Sequence, residues 1–187
     1  MMQDIAVFLD RDGTINEEMG YINHLSRFVL LPRSVEAIKQ LNDAGLKVVV
    51  ITNQSGAARG YFPPSLVSEV HEHFRNLLAA GEARVDAIYT CLHGPEDGCD
   101  CRKPRPGLIL QAAAELNLDL SRSYVVGDRY KDMETGANAG VKGIFVLTGY
   151  GRGEYEHFAP TWEIRPVHVA ADLWDAAEWI IKDLDKT

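Results

Sequence analysis

The stretch "IAVFLDRDGT", residues 5–14, sets five consecutive apolar residues directly before two aspartates, Asp10 and Asp12. A run that short and continuous reads as a strand buried on both faces. Four more runs follow: "KVVVIT" (47–52), "AIYTC" (87–91), "YVVGD" (124–128) and "GIFVLT" (143–148). Between and after them, segments near 33–44, 64–80, 106–117, 131–139 and 171–184 read as helices. In the second of these, Leu66, Val67, Val70, Phe74, Leu77 and Leu78 recur at helical spacing. Gly45 after the first helix and Pro63-Pro64 before the second are stop and start signals. Buried strands alternating with helices predict an α/β fold, a Rossmann-like three-layer sandwich around a central parallel sheet.

In such a sheet the ligand site lies beyond the carboxyl ends of the strands. Polar residues collect there in succession: Asp10 and Asp12, then Thr52 and Asn53, then a Cys/His segment with Lys103, then Asp128. A calcium loop starting at Asp10 is excluded. It needs Gly at position six and Glu at twelve, whereas Gly13 falls at four and Tyr21 at twelve. A pair of carboxylates can instead divide the work of phosphoryl transfer. One attacks phosphorus; the other protonates the leaving oxygen and later activates water. Carboxylates repel phosphate, so the scheme needs cations. Asp10 and Asp128, with a backbone oxygen of Asp12, form a hard oxygen set suited to Mg²⁺. Lys103 adds fixed positive charge, and Thr52 with N–H groups near Asn53 adds donors. Asp132 could support the metal or cap the helix that follows.

All three cysteines lie in "CLHGPEDGCDCRKPRPG", residues 91–107. Cys91, His93, Cys99 and Cys101 offer three thiolates and an imidazole, a Cys₃His set suited to structural zinc. Four protein ligands leave no open catalytic position, and no C-x-x-C pair suggests redox chemistry. The expected zinc loop, 91–101, ties the end of the third strand to Arg102 and Lys103.

"FLDRDGT", "ITNQSG", Lys103 within "CRKPRPG" and "VVGDRYKD" resemble the four ordered motifs of the haloacid dehalogenase superfamily. The resemblance implies that Asp10 is the nucleophile and Asp12 the general acid/base, that Thr52 and Lys103 bind the phosphoryl group, and that Asp128 completes the Mg²⁺ site. "GYINH", "TNQSGAARGYF" and "CDCRKPRPG" look like its small-capped, zinc-bearing heptose-bisphosphatase group. By that likeness the 7-phosphate of heptose 1,7-bisphosphate is removed, in lipopolysaccharide-precursor metabolism. The same likeness implies that Glu18, Met19, Gly20, Tyr21, Thr52, Asn53, Gln54, Ser55, Arg102, Lys103 and Arg129 contact substrate. The five-residue gap between His93 and Cys99 is similar to the histidinol-phosphatase group, and Arg129 stands where lysine is common. Histidinol phosphate is therefore the alternative substrate. A zinc-stapled phosphate-binding module without catalysis is the alternative of another class, which an intact Asp12 argues against.

Composition suits one domain over 1–187 with a minimal cap, at 46% hydrophobic and 25% charged residues. A net charge of −8 argues against nucleic-acid or membrane partners, and a monomer is expected. "MMQDIAVFLDRDG" has neither a signal-peptide nor a membrane-span pattern, so a cytoplasmic chain with reduced thiols is expected. "TGYGRGE" (148–154) fits neither a dinucleotide nor a P-loop motif and reads as a loop. His71 and His73 read as solvated helix residues. Trp162, Trp174 and Trp179 read as packing the C-terminal segment or resting on its surface.

Overall fold

A computed structural model describes residues 3–186. Each of the five apolar runs forms a strand: β1 (Ala6–Leu9), β2 (Lys47–Asn53), β3 (Ala87–Cys91), β4 (Tyr124–Gly127) and β5 (Lys142–Val146). A sixth, β6 (His168–Ala170), was not legible, because three residues carry too little pattern. Among the described residues these make one sheet in the order β3-β2-β1-β4-β5-β6, parallel throughout.

The helices are α1 (Ser34–Asp43), α2 (Pro64–Ala80), α3 (Gly107–Leu116), α4 (Tyr130–Ala139), α5 (Gly151–Phe158) and α6 (Leu173–Leu184). Strand residues alternate between two cores, as the pleat requires. Val7, Leu9, Val48 and Val50 pack with Ile38, Leu41, Phe74 and Ile180 of α1, α2 and α6. Ala6, Phe8, Val49 and Ile51 pack on the other face with Leu108, Ile109 and Ala112 of α3. Both faces are therefore covered, which explains runs with no polar alternation.

One element corrects the sequence reading: "TGYGRGE" does not stay a loop, because α5 begins at Gly151. Two glycines cost a helix about 1 kcal/mol each, so its pattern looked unhelical. Tertiary contacts reverse that preference. Gly151 lies so close to the carbonyl of Val146 that a Cβ would collide with it. Glu154 ties the new helix to α4, accepting from Arg129 Nε at 2.7 Å and from the Tyr130 N–H at 2.8 Å.

Trp162 is buried, stacked on Tyr130 at 5.0 Å between ring centres, and Trp174 carries the Arg33 guanidinium at 3.7 Å from its ring centre. Trp179 stacks on His168 at 5.0 Å. No described helix is long and apolar enough to cross a membrane.

The sheet order reverses direction between β1 and β4, so the crevice opens beyond Leu9 and Gly127.

Candidate active site

Asp10 follows β1 and Asp128 follows β4, side by side at that crevice. Asp132 joins them from the first turn of α4, and carboxylate oxygens of the three lie within 4.8 Å of one another. Asp132 also does the capping work, accepting the Arg129 N–H through Oδ2 at 3.1 Å. Its other oxygen receives Lys103 Nζ at 2.7 Å, and the same ammonium donates to Asp10 Oδ1 at 2.6 Å. Burial raises the Asp10 pKa; Lys103 opposes this, and the Asp132 and Asp12 charges add to it. Burial alone would lower the Lys103 pKa, but Asp10 and Asp132 outweigh it and raise it. Burial, then the Asp10 and Asp132 charges, push Asp128 up to about 9.

Three carboxylates thus share one ammonium, and ionising all three would leave a surplus of negative charge in a buried place. Asp128 Oδ2 accepts the Tyr150 N–H at 2.8 Å, while its buried Oδ1 has no protein partner. Gly13, at φ +88°, lets the turn lie directly on the Asp128 carboxylate, where any Cβ would clash. Oxygen donors, surplus charge and an orphaned buried oxygen fit a hard divalent cation such as Mg²⁺.

Asp12 points into a different network. Arg11 Nη2 donates to both of its oxygens at 2.9 Å, and Arg11 Nε donates to Oδ1 at 3.2 Å. Asn16 Nδ2 reaches Oδ1 at 2.9 Å and Gln54 Nε2 reaches Oδ2 at 2.7 Å. Burial opposes ionisation, but Arg11 above all, with Asn16 and Gln54, holds the carboxyl below its usual value. Gln54 also donates to Thr52 Oγ1 at 2.8 Å, linking the end of β2 to the DRDG turn. Asn53 plays a part the sequence did not reveal. Its amide receives the Lys103 N–H at 3.2 Å and donates to the Lys103 carbonyl at 3.3 Å, clamping that backbone beside β2.

His71 is half-buried rather than solvated, as is His73, which lies edge-on to Phe28. α2 turns His71 inward, with its Nε2 3.1 Å from Arg11 Nη1. Burial, and then Arg11, push the His71 pKa down from 6.5 to about 4, with Asp12 opposing and Arg75 assisting. The folded value lies below the unfolded one, so the unfolded chain takes the proton first as pH falls. Stability held by neutral His71 is present above pH 6.5 and lost progressively toward about 4. His71→Gln removes this titration. Urea unfolding between about pH 7 and about pH 4.5 should show the variant losing less stability than the parent. Parallel losses would show that His71 does not carry this dependence.

The crevice opens into a cleft of about 270 Å³ lined by Asp10, Asp12, Thr52, Lys103, Glu18, Gly20, Tyr21, Asn53, Gln54, Ser55, Arg102 and Arg129. Met19 does not join them: it packs against the core and lines a neighbouring outer hollow. Arg129 lines the cleft with its guanidinium held by Glu154 and with Tyr150 under it at 4.6 Å from the ring centre. Arg102 reaches the His93 carbonyl at 3.3 Å from the cleft edge. Lys131 was missed. It lines the cleft from α4, with its pKa lowered by burial and then by Lys103. The motif "GDRYKD" spaces it next to Asp132, a signal masked by how often lysines are merely exposed.

Cys91, His93, Cys99 and Cys101 converge at the far side of Arg102. Cys91 Sγ lies 3.7 Å from Cys99 Sγ and 3.6 Å from His93 Nδ1; Cys101 Sγ lies 3.5 Å from Cys99 Sγ and 3.2 Å from His93 Nδ1. Tetrahedral sulfur and nitrogen ligands of one zinc ion lie about 3.3–3.8 Å apart. Burial pushes the Cys91 and Cys101 thiols up, Cys101 to about 12, with the neighbouring thiols adding to the Cys101 shift. The residues fit a soft cation that would hold them as thiolates.

Comparison with known proteins agrees with this geometry. The HAD-hydrolase-like family matches residues 100–176. D-glycero-D-manno-heptose-1,7-bisphosphate 7-phosphatase of Thermosynechococcus vestitus is 42% identical, covering 96% of both chains. The D-glycero-beta-D-manno-heptose-1,7-bisphosphate 7-phosphatase of Escherichia coli K12 is 36% identical, over 96% of this chain and 89% of its own. The crystal structure of the B. bronchiseptica D,D-heptose 1,7-bisphosphate phosphatase, complexed with magnesium and phosphate, superposes with a TM-score of 0.88. It is 36% identical, over 97% of this chain and 99% of its own.

Proposed function

This chain belongs to the heptose 1,7-bisphosphate 7-phosphatase family of haloacid-dehalogenase-like hydrolases, and from that membership we propose its reaction and the role of each site residue. The chain hydrolyses the 7-phosphate of D-glycero-D-manno-heptose 1,7-bisphosphate, leaving the 1-phosphate. One observation carries the chemistry: Asp10, Asp128 and Asp132 crowd one buried place where Asp128 Oδ1 has no protein partner. Asp10, Asp128 and the Asp12 backbone oxygen hold Mg²⁺, with Asp132 in support. When bound, the ion supplies charge neutralisation and alignment for the transferring phosphoryl group.

Asp10 attacks phosphorus, forming an O–P bond as the bond to the sugar oxygen breaks. Asp12 gives its proton to that departing oxygen. A phosphate dianion arriving beside Asp12 counters the lowering by Arg11 and favours the protonated acid. Asp12 then takes a proton from water as its oxygen bonds to phosphorus and the bond to Asp10 breaks. Inorganic phosphate leaves, and both carboxylates return to their starting state. Lys103, anchored on Asp10 and Asp132, and Thr52 neutralise and position the phosphoryl oxygens. Cys91, His93, Cys99 and Cys101 hold a structural Zn²⁺ that fixes the segment bearing Arg102 and Lys103. Residues 1–187 act as one phosphatase domain, monomeric, in a reducing cytoplasm.

Substrate choice follows from the charge around the cleft. Arg102, Lys131 and the partly neutralised Arg129 favour a second anion and disfavour the cation of histidinol phosphate. Phosphate release from sugar bisphosphates, sugar monophosphates and histidinol phosphate, each with Mg²⁺, is the test. The heptose bisphosphate should give the highest kcat/KM. Arg102→Ala should lower kcat/KM for it about tenfold, the effect of one lost charged contact, and should barely change a small monoester. Preference for histidinol phosphate in direct competition would overturn the substrate assignment.

A further inference from the structure

Arg11 is the largest fully buried side chain, 1% exposed, and lies between the two aspartates of the DRDG turn. A buried guanidinium must place its N–H groups on acceptors. Nε and Nη2 are committed to Asp12, and the Phe28 ring lies 5.7 Å from the guanidinium carbon. Among the described residues Nη1 has one partner, reached across the chain on α2: His71 Nε2 at 3.1 Å. Arginine can donate and never accept. His71 Nε2 must therefore present its lone pair, and the imidazole proton sits on Nδ1.

The consequence lies at Asp12. Arg11 makes three of the five side-chain hydrogen bonds that aim this carboxylate. The plane of the guanidinium decides where the Asp12 oxygens sit, and His71 holds the end of that plane farthest from Asp12. Without an acceptor at His71 the Nη1 end loses its partner, and the guanidinium plane is free to tilt. A displacement of a fraction of an ångström then passes directly to the acid/base group, where placement controls rate.

We propose that His71 is a positioning residue for the acid/base step, acting on Asp12 through Arg11. The proposal rests on the reading of Asp12 given above. It assigns a functional contact to α2, which otherwise contributes core packing through Val67, Val70, Phe74 and Leu78.

The test separates positioning from packing by leaving group. kcat/KM reports steps only up to departure of the alcohol, and a nitrophenolate departs without a proton whereas a sugar alkoxide needs one. His71→Leu keeps bulk and removes the acceptor. It should lower kcat/KM for the sugar phosphate about tenfold, a part of the 10²–10⁴-fold that general acid catalysis supplies. For p-nitrophenyl phosphate the change should be less than about twofold. His71→Gln, whose carbonyl oxygen reaches the place of Nε2, should restore most of the loss. Should His71→Leu not fold, His71→Asn, too short to reach Arg11, takes its place. Equal losses on both substrates, equal impairment by Gln and Leu, or no loss in either would overturn the proposal. Asp12→Asn, measured alongside, keeps the two readings apart. If it retains full activity on the sugar phosphate, the acid/base assignment itself fails, whatever His71 shows.

Discussion

Asp10→Asn is expected to abolish turnover, by about 10⁵-fold or more, as removal of an attacking residue does in other covalent hydrolases. The chain should stay folded. Asp10 sits in a cluster whose burial raises its pKa, so its charged form is disfavoured there when no cation is bound. An amide relieves that repulsion, and Lys103 keeps Asp132 as its partner at 2.7 Å. Thermal unfolding of the metal-free variant should therefore match or exceed that of the parent. Rapid-quench trapping followed by mass spectrometry should find a phosphoryl group on Asp10 in the parent and none in the variant. Full activity in Asp10→Asn, or a phosphoryl group on a different side chain, would end the covalent mechanism.

The second large effect concerns the Cys/His cluster. Metal binding energy in such sites is folding energy. Cys101→Ser removes a ligand that lies 3.2 Å from His93 Nδ1 and 3.5 Å from Cys99 Sγ. It should cost about 4 kcal/mol and lower the melting temperature by about 10 °C. Activity should fall as well, because Cys101 lies two residues before Lys103. Some should remain, because Asn53 still clamps the Lys103 backbone with two hydrogen bonds. Elemental analysis of the parent should return about one zinc per chain. A zinc-free parent that is equally active and equally stable would show that the four residues merely meet.

The sequence by itself was enough for the scaffold and the chemistry. Apolar runs without polar alternation, as in β1, β2 and β4, are satisfied by burial on both faces, and that requires helices on both sides of a parallel sheet. Asp10, Thr52, Lys103 and Asp128 were legible because each lies at or beyond the carboxyl end of a strand, and those ends in such sheets share one edge. The Cys₃His set was legible because few other residue types can serve a soft cation. Tertiary structure decided everything that depends on which side chain meets which across the chain. Gly151 and Gly153 hid α5, since local propensity counts the cost of glycine but not the Val146 carbonyl that glycine lets approach. Arg129 was paired with Glu154 at the cleft, and Asn53 was turned onto the Lys103 backbone, pairings 25 and 50 residues apart in the chain. His71 looked solvated beside His73 because spacing gives only the angle around a helix. Its depth, and the buried Arg11 that needs its lone pair, exist only once α2 has packed against the turn after β1.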